Sequence, residues 1–176
     1  YFEGNIENLS KIRTELKGNT LNIYAPKLRK SKKTTIIHLT VDKLHSLKTY
    51  GSVKIETFAN INLSSTDITL SKESSLELFV TSNHFRCNLY GDAPVIIAGD
   101  IKELDLNVYG NTSLKLELET KSLSCNIYDF SSIEITDKST IYHTQVTDYS
   151  AMQSINEPAK ASIRKNSEVC FYVLRD

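Results

Sequence analysis

The sequence predicts an all-β solenoid, a β-helix of about seven turns with a period of about 19–20 residues. A turn residue follows an apolar alternating run at nearly constant intervals along the chain. Two strand-like runs fill each interval without a helical stretch between them, which favours a β-helix over a leucine-rich horseshoe. The predicted turn residues are Gly51, Ser71, Gly91, Gly110, Asp129, Asp148 and Lys165.

The first 40 or so residues fit this period poorly but still contain strand-like segments. We expect these segments to pair into the first turn and to cover its open end, because solenoids need atypical terminal units that block edge-to-edge association. We therefore predict one domain over residues 1–176, with irregular cap strands over 1–40 and repeats over 41–176. The cap segments are Leu21, Ile23 and Tyr24, followed by Ile36, Ile37 and Leu39.

The repeat around Gly110 illustrates how one turn is built. Apolar and polar residues alternate before Gly110 and again after Ser113, which is the period of a strand with one buried face. Between the two runs, the segment 110–113 reads Gly-Asn-Thr-Ser, and these residues favour tight turns. The predicted inward residues of this repeat are Leu104, Leu106, Val108, Leu114, Leu116 and Leu118.

Two of the three cysteines, Cys87 and Cys125, occupy the same position two turns apart. Stacked strands are ~4.8 Å apart, which separates these residues by roughly 9–10 Å and exceeds the ~7 Å limit for a disulfide. We therefore interpret both as small core residues.

Composition excludes several classes of function. The 21 basic and 21 acidic residues cancel, which argues against nucleic acid as a partner. No apolar stretch reaches the ~18 residues of a membrane span. The histidines are too scattered for a zinc motif, and no glycine-rich phosphate loop or nucleophile elbow occurs. We predict no metal, no cofactor and no catalytic set.

Two outward positions repeat the same residue in successive turns. If the strands stack in register, three tyrosine rings lie one above another, and such an aromatic strip could bind sugar rings or a protein. Like-residue ladders also stabilise stacked strands, and this structural explanation stays open. The candidate binding residues are Tyr50, Tyr90, Tyr109 and Tyr128, beside the ladder Asn88, Asn107 and Asn126.

Asp129 and Asp148 share the turn position of successive repeats. Stacking could bring them roughly 5 Å apart, the separation of a retaining glycosidase pair. Aspartate is also an ordinary turn residue, and ordinary turn chemistry explains both without catalysis.

Three segments of the chain resemble the head GIN domain of the putative auto-transporter adhesin family. They read LKGNTLNIYAP from Leu16, KKTTIIHLTVDKLHSLKTYGSVKIE from Lys32 and LDLNVYGNTSLKLEL from Leu104, and Leu44 and Leu47 precede the first turn at Gly51. The resemblance covers about Ile12 to the end of the chain. It implies a right-handed, single-stranded β-helix on an exported, periplasmic or cell-surface protein, lipid-anchored in some cases, of Bacteroides-like bacteria. The family offers no catalytic residues to transfer.

Three functional hypotheses follow. The leading one is a non-enzymatic cell-envelope domain that binds a glycan or a protein through a lateral β-face. The alternative is a polysaccharide-active lyase or hydrolase of the β-helix type, with Asp129 and Asp148 as its acids. The third is an architectural module that assembles through an uncapped end.

Overall fold

The computed structural model describes residues 1–25, 34–129, 131–137, 141–146, 151–154 and 160–165. Contacts divide the chain into two compact units, Tyr1–Asp42 and Lys43–Asp176. The elements of the first unit are β1 (Phe2–Glu3), α1 (Ile6–Leu9), β2 (Arg13–Lys17), β3 (Thr20–Tyr24) and β4 (Ile36–Ile37).

The strands of the first unit pair with one another in two antiparallel pairs. β2 and β3 form a hairpin around Gly18, whose φ of 57° suits glycine, and β1 pairs with β4. The expectation that these segments pair into the first turn of the solenoid is therefore wrong for the described strands. Their alternation predicted strands correctly, but short antiparallel strands can satisfy each other locally without the solenoid edge.

The second unit is a parallel β-solenoid of about five turns with a period near 19 residues. Its described strands form one ten-stranded sheet. The all-β solenoid is thus confirmed, whereas seven turns and a right-handed winding stay predictions. The strands are β5 (Ser46–Lys48), β6 (Lys54–Glu56), β7 (Ile61–Lys72), β8 (Ser75–Gly91), β9 (Val95–Gly110), β10 (Ser113–Ile127), β11 (Ser132–Asp137), β12 (Ile141–Val146), β13 (Ala151–Ser154) and β14 (Lys160–Lys165).

Each long strand contributes two arms that meet at a corner. The pairing of β8 with β9 runs from Leu76 to Ser82, skips Asn83 and resumes at His84. The same gap recurs between β9 and β10 at Lys121. The corner residues are exposed, so that both arms direct their alternate side chains into one core.

The core consists of the inward residues of these arms, as the alternation predicts. Cys87 pairs with Leu106, which pairs with Cys125, so the two cysteines lie two strands apart. Both are free and completely buried, and burial raises the pKa of the Cys87 thiol to about 12 and that of the Cys125 thiol further. The absence of a disulfide between them is confirmed. Val53, in contrast, is 44% exposed and does not belong to the buried core.

The turn residues form a column that requires unusual backbone geometry. Gly91 and Gly110 have φ values of 158° and 104°, and a Cβ added to Gly91 would lie 1.7 Å from the carbonyl oxygen of Lys72. Lys72 and Asp129 occupy the same column with φ values of 62°, the left-handed region that L-residues rarely adopt.

Two of the predicted turn residues are displaced in the register. Ser71 pairs with Tyr90, and Lys72 pairs with Gly91, so Lys72 rather than Ser71 is the turn residue. Lys165 pairs with Val146, which pairs with Ile127, and therefore lies two positions before the turn column. Lysine carries no turn signature, which is why the sequence pattern assigned the turn to Ser71 instead of Lys72. Asp148 lies outside the described residues.

A column of hydroxyl groups supports these turns from inside. Thr112 Oγ1 donates to the carbonyl of Gly91 at 2.8 Å, and Ser131 Oγ donates to the carbonyl of Gly110 at 3.0 Å. Ser74 bonds the carbonyl of Gly51 in the same way in the first turn. Each hydroxyl finds a partner in a turn carbonyl, and the Gly91 carbonyl also accepts from the backbone N–H of Asn111 at 3.1 Å. These bonds satisfy the polar groups of buried hydroxyl side chains.

Candidate binding surface

One lateral face of the solenoid carries the candidate residues in three parallel columns. Its strands are the second arms of β8, β9 and β10, together with the end of β7. We call this surface the column face. Its columns are Asp67, Arg86 and Asp105; Thr69, Asn88, Asn107 and Asn126; and Ser71, Tyr90, Tyr109 and Tyr128.

The asparagines form a continuous amide ladder. Nδ2 of Asn126 donates to Oδ1 of Asn107 at 2.8 Å, and Nδ2 of Asn107 donates to Oδ1 of Asn88 at 2.9 Å. All three are half-buried. Because Asn107 uses one donor and one acceptor within the ladder, its amide holds its neighbours in place and has only part of its bonding capacity left for a ligand.

The three tyrosine rings stack one above another. The ring centroids of Tyr90 and Tyr109 are 5.0 Å apart with an interplanar angle of 7°, and those of Tyr109 and Tyr128 are 4.5 Å apart with an angle of 3°. The pKa of Tyr109 is raised, first by burial of its hydroxyl and then by its interactions with Tyr128.

This stacking determines which parts of the rings meet the solvent. Rings that lie parallel at this distance cover each other's faces, so both faces of Tyr109 are occupied. The strip therefore presents ring edges and hydroxyl groups outward. Among the described residues, a flat ligand can reach a ring face of the stack above Tyr90, where Ser71 interrupts the column.

Tyr50 belongs to the same column but is separated from the stack. Lys48 pairs with Thr69, and Lys54 pairs with Ser75. The segment from Lys48 to Lys54 is therefore as long as the segment from Thr69 to Ser75. Tyr50 therefore lies level with Ser71, which pairs with Tyr90. Its side chain is 81% exposed.

The charged side chains of the column face lie in contact with one another. Arg86 lies between two aspartates, with its guanidinium nitrogens 3.8 Å from Asp67 Oδ1 and 3.5 Å from Asp105 Oδ2. His84 Nε2 lies 2.9 Å from Glu103 Oε2 in the adjacent column. These exposed pairs contribute little stability each, and they fix the positions of polar groups on the face.

The carboxylate of Asp129 acts in the turn. Its Oδ2 accepts a hydrogen bond from the backbone N–H of Gly110 at 2.9 Å, while its own backbone adopts a φ of 62°. Aspartate is one of the few residues that tolerate this geometry and bond the local backbone, so turn chemistry accounts for it. Its proposed catalytic partner Asp148 lies outside the described residues, and the distance between the two stays a prediction.

The described residues contain no group of three or more histidine, cysteine, aspartate or glutamate residues arranged to hold a metal. Within that part of the chain, the best-formed hollow has a volume of about 10 Å³, roughly the space of one water, beside Leu89, Ala93 and Val95. No helix among the described residues is long and apolar enough to cross a membrane. The column face is therefore the candidate binding surface among the described residues.

Sequence reasoning identified the tyrosine and asparagine columns but missed two features of this region. It placed Ser71 at the turn, whereas the register puts this serine in the tyrosine column. It also overlooked the hydroxyl column that begins at Ser74. A signal for the second was present, because small or hydroxyl residues recur once per period at Ser74, Ala93, Thr112 and Ser131.

No curated protein and no solved structure matches this chain. A family model described as putative auto-transporter adhesin, head GIN domain, matches residues 2–151. That match covers most of the 176 residues and includes both units, in agreement with the resemblance of the repeat segments. The chain therefore belongs to the head GIN domain family of putative auto-transporter adhesins.

Proposed function

We propose that this chain is a non-enzymatic adhesive domain at the cell surface that binds a glycan through the column face. The observation that carries this proposal is the arrangement of aromatic rings, amides and paired charged groups on one parallel sheet. Carbohydrates are recognised by such combinations, because the ring C–H groups need an apolar face and the hydroxyls need fixed polar partners. The family description as an adhesin supports a binding role.

The chemistry of the face favours a glycan over a protein partner. Aspartate is depleted at protein–protein interfaces, whereas Asp67 and Asp105 lie within this face. The strongly exposed phenylalanines Phe58 and Phe79, which would suit a protein interface, belong to the other arm of the repeat. A protein partner on the column face is therefore an outcome of the test below.

Binding can be tested with an array of immobilised microbial and animal glycans. We expect the native protein to bind a subset of them and the triple variant Tyr90→Ser, Tyr109→Ser, Tyr128→Ser to lose that binding. Phe79→Ser is the matched control, since it removes an exposed aromatic ring outside the column face. Circular dichroism must show that both variants keep the native fold.

Unchanged glycan binding by a folded triple variant would contradict the assignment of this face. Release of shortened or unsaturated sugars from any glycan on the array would instead support the polysaccharide-active alternative. The variants Asp129→Asn and Asp148→Asn would then decide it, because loss of product formation in either would assign catalysis to these carboxylates.

A further inference from the structure

We propose that the interruption of the tyrosine column at Ser71 is a slot that binds one pyranose ring between Tyr50 and Tyr90. This inference deepens the proposed glycan-binding function and rests on it. The site is the part of the column face around Ser71, and one sugar ring of the glycan would enter it.

The first support is the geometry of the column. Tyr50, Ser71 and Tyr90 lie at three successive levels, as the equal loop lengths and the pairing of Ser71 with Tyr90 require. Successive parallel strands are ~4.8 Å apart, so the two tyrosine levels are separated by about 10 Å. Two levels further on, Tyr109 fills the equivalent interval between Tyr90 and Tyr128 with its own ring. At Ser71 the same interval contains only a hydroxymethyl group.

The second support is that the loop carrying Tyr50 is fixed on both sides of this residue. The backbone N–H of Thr49 donates to the Thr69 carbonyl at 3.0 Å, and its hydroxyl donates to Ser74 Oγ at 3.0 Å. Ser74 in turn donates to the carbonyl of Gly51. Thr49 and Ser74 are both buried, whereas Tyr50 between these anchors is 81% exposed. The backbone at Tyr50 is therefore held at its level, and its ring is free of the core.

The third support is the accessibility and polarity of the slot. Tyr90 is 46% exposed although one of its faces is covered by Tyr109. Among the described residues, no hydrogen bond to the Ser71 hydroxyl is formed, and this group lies on the floor of the slot. Lys72 and Thr69 flank it with an exposed ammonium group and a hydroxyl. A ligand here gains an aromatic face and several hydrogen-bonding partners together.

These features favour a pyranose ring over an aromatic side chain. The width of the interval accepts either kind of ring, because the flat ring of Tyr109 fills the equivalent interval between Tyr90 and Tyr128. The polar groups around Ser71 decide between them. The equatorial hydroxyls of a pyranose extend outward in the plane of its ring, where Ser71 and its polar neighbours lie, whereas an aromatic side chain would leave those groups without partners.

The slot can be closed by a ring of the protein itself. Ser71→Tyr completes the column from Tyr50 to Tyr128 and should keep the fold, because it extends an existing stack. The matched control is Ser124→Tyr, which adds the same ring to a half-buried outward position in the column of Asp105, on the far side of the asparagine ladder. Tyr50→Ala removes one wall of the slot and serves as a second, independent variant if Ser71→Tyr does not fold.

The experiment is an NMR titration of protein carrying ¹³C-labelled tyrosine with the methyl glycosides of glucose, galactose, mannose and N-acetylglucosamine. We expect at least one glycoside to shift the ring resonances of Tyr50 and Tyr90. Ser71→Tyr should weaken this binding by about tenfold or more and Tyr50→Ala by about three- to tenfold, while Ser124→Tyr stays within about twofold.

Three results would overturn the slot, and they differ in what they leave standing. Unchanged glycoside binding by a folded Ser71→Tyr variant, with array binding still lost in the triple tyrosine variant, would refute the slot and keep the proposed function. Shifts of Tyr50 and Tyr90 caused by p-cresol but by no glycoside would assign the slot to an aromatic side chain of a protein. No binding of the native protein to any glycoside or array glycan would contradict both proposals.

Discussion

The first two turns and the central turns of this solenoid use the same positions for different purposes. In the central turns, the pairing of successive repeats puts tyrosine on tyrosine, asparagine on asparagine and glycine on glycine. Between the first and second turns the spacing of paired residues is longer, and in the second turn serine interrupts the tyrosine column and lysine replaces the turn glycine. Where the columns are complete, their side chains stack on or hydrogen-bond to one another. Where a column is interrupted, a ring face and a hydroxyl group remain available to a ligand.

This contrast suggests that repetition and binding compete for the same surface. Each like-residue contact adds a small stabilisation, and a column of them makes the central turns rigid. The same contacts cover ring faces and amide groups that a ligand would need. We therefore expect the complete central columns to contribute mainly to stability. We expect binding at the interruption beside them.

The largest expected effect distinguishes the turn glycines of the two regions. Gly91→Ala places a Cβ against the Lys72 carbonyl and should lower the free energy of unfolding by about 3 kcal/mol or more. Gly51→Ala should change it by less than about 0.5 kcal/mol, because no atom lies within 4 Å of the added Cβ. Urea denaturation of both variants measures the difference, and equal losses would contradict the contrast between the regions.

The next effect concerns the amide ladder. Asn107→Ala removes the middle member and leaves Oδ1 of Asn88 and Nδ2 of Asn126 without their ladder partners, so we expect a loss of about 2 kcal/mol. Asn60→Ala, which breaks the exposed bond to Thr81 Oγ1, is the control and should cost about 0.5 kcal/mol or less. If the two variants unfold at the same urea concentration, the ladder does not stabilise the central turns.

The smallest effect has the opposite sign. Lys72 holds the left-handed conformation without being glycine, so Lys72→Gly should raise the free energy of unfolding by about 0.5–1 kcal/mol. Lys115→Gly, at an outward strand position of a central turn, should lower it by a similar amount of about 0.5–1 kcal/mol. Thermal denaturation resolves both changes, and a loss of stability in Lys72→Gly would show that its side chain has a stabilising role that outweighs the strain.

Much of the fold could be predicted from the sequence because every stacked turn repeats the same pattern of apolar and polar residues. Inward residues such as Leu106 and Cys125 alternate with polar ones, and this alternation marks strands with one buried face. The asparagine and tyrosine columns followed from the same period. These patterns are local and recur in each turn. A single sequence therefore contains several independent examples of the same pattern.

The features that could not be predicted depend on a change of register or on orientation. The insertion that lengthens the first turn shifted the frame by one, and the turn was therefore assigned to Ser71 instead of Lys72. The period also placed the tyrosines in one column without specifying that their faces cover each other. Pairing among the N-terminal strands was missed because nothing in the alternation of residues identifies the partner of an edge strand.

If a gap in the tyrosine column binds a sugar ring, a second gap should bind one as well. Tyr109→Ser should open an interval between Tyr90 and Tyr128 that matches the one at Ser71. In the same NMR titration, the native protein should show shifts at Tyr50 and Tyr90 only, and the variant should add Tyr128. A folded Tyr109→Ser protein in which Tyr128 stays unshifted at saturating glycoside would contradict the claim.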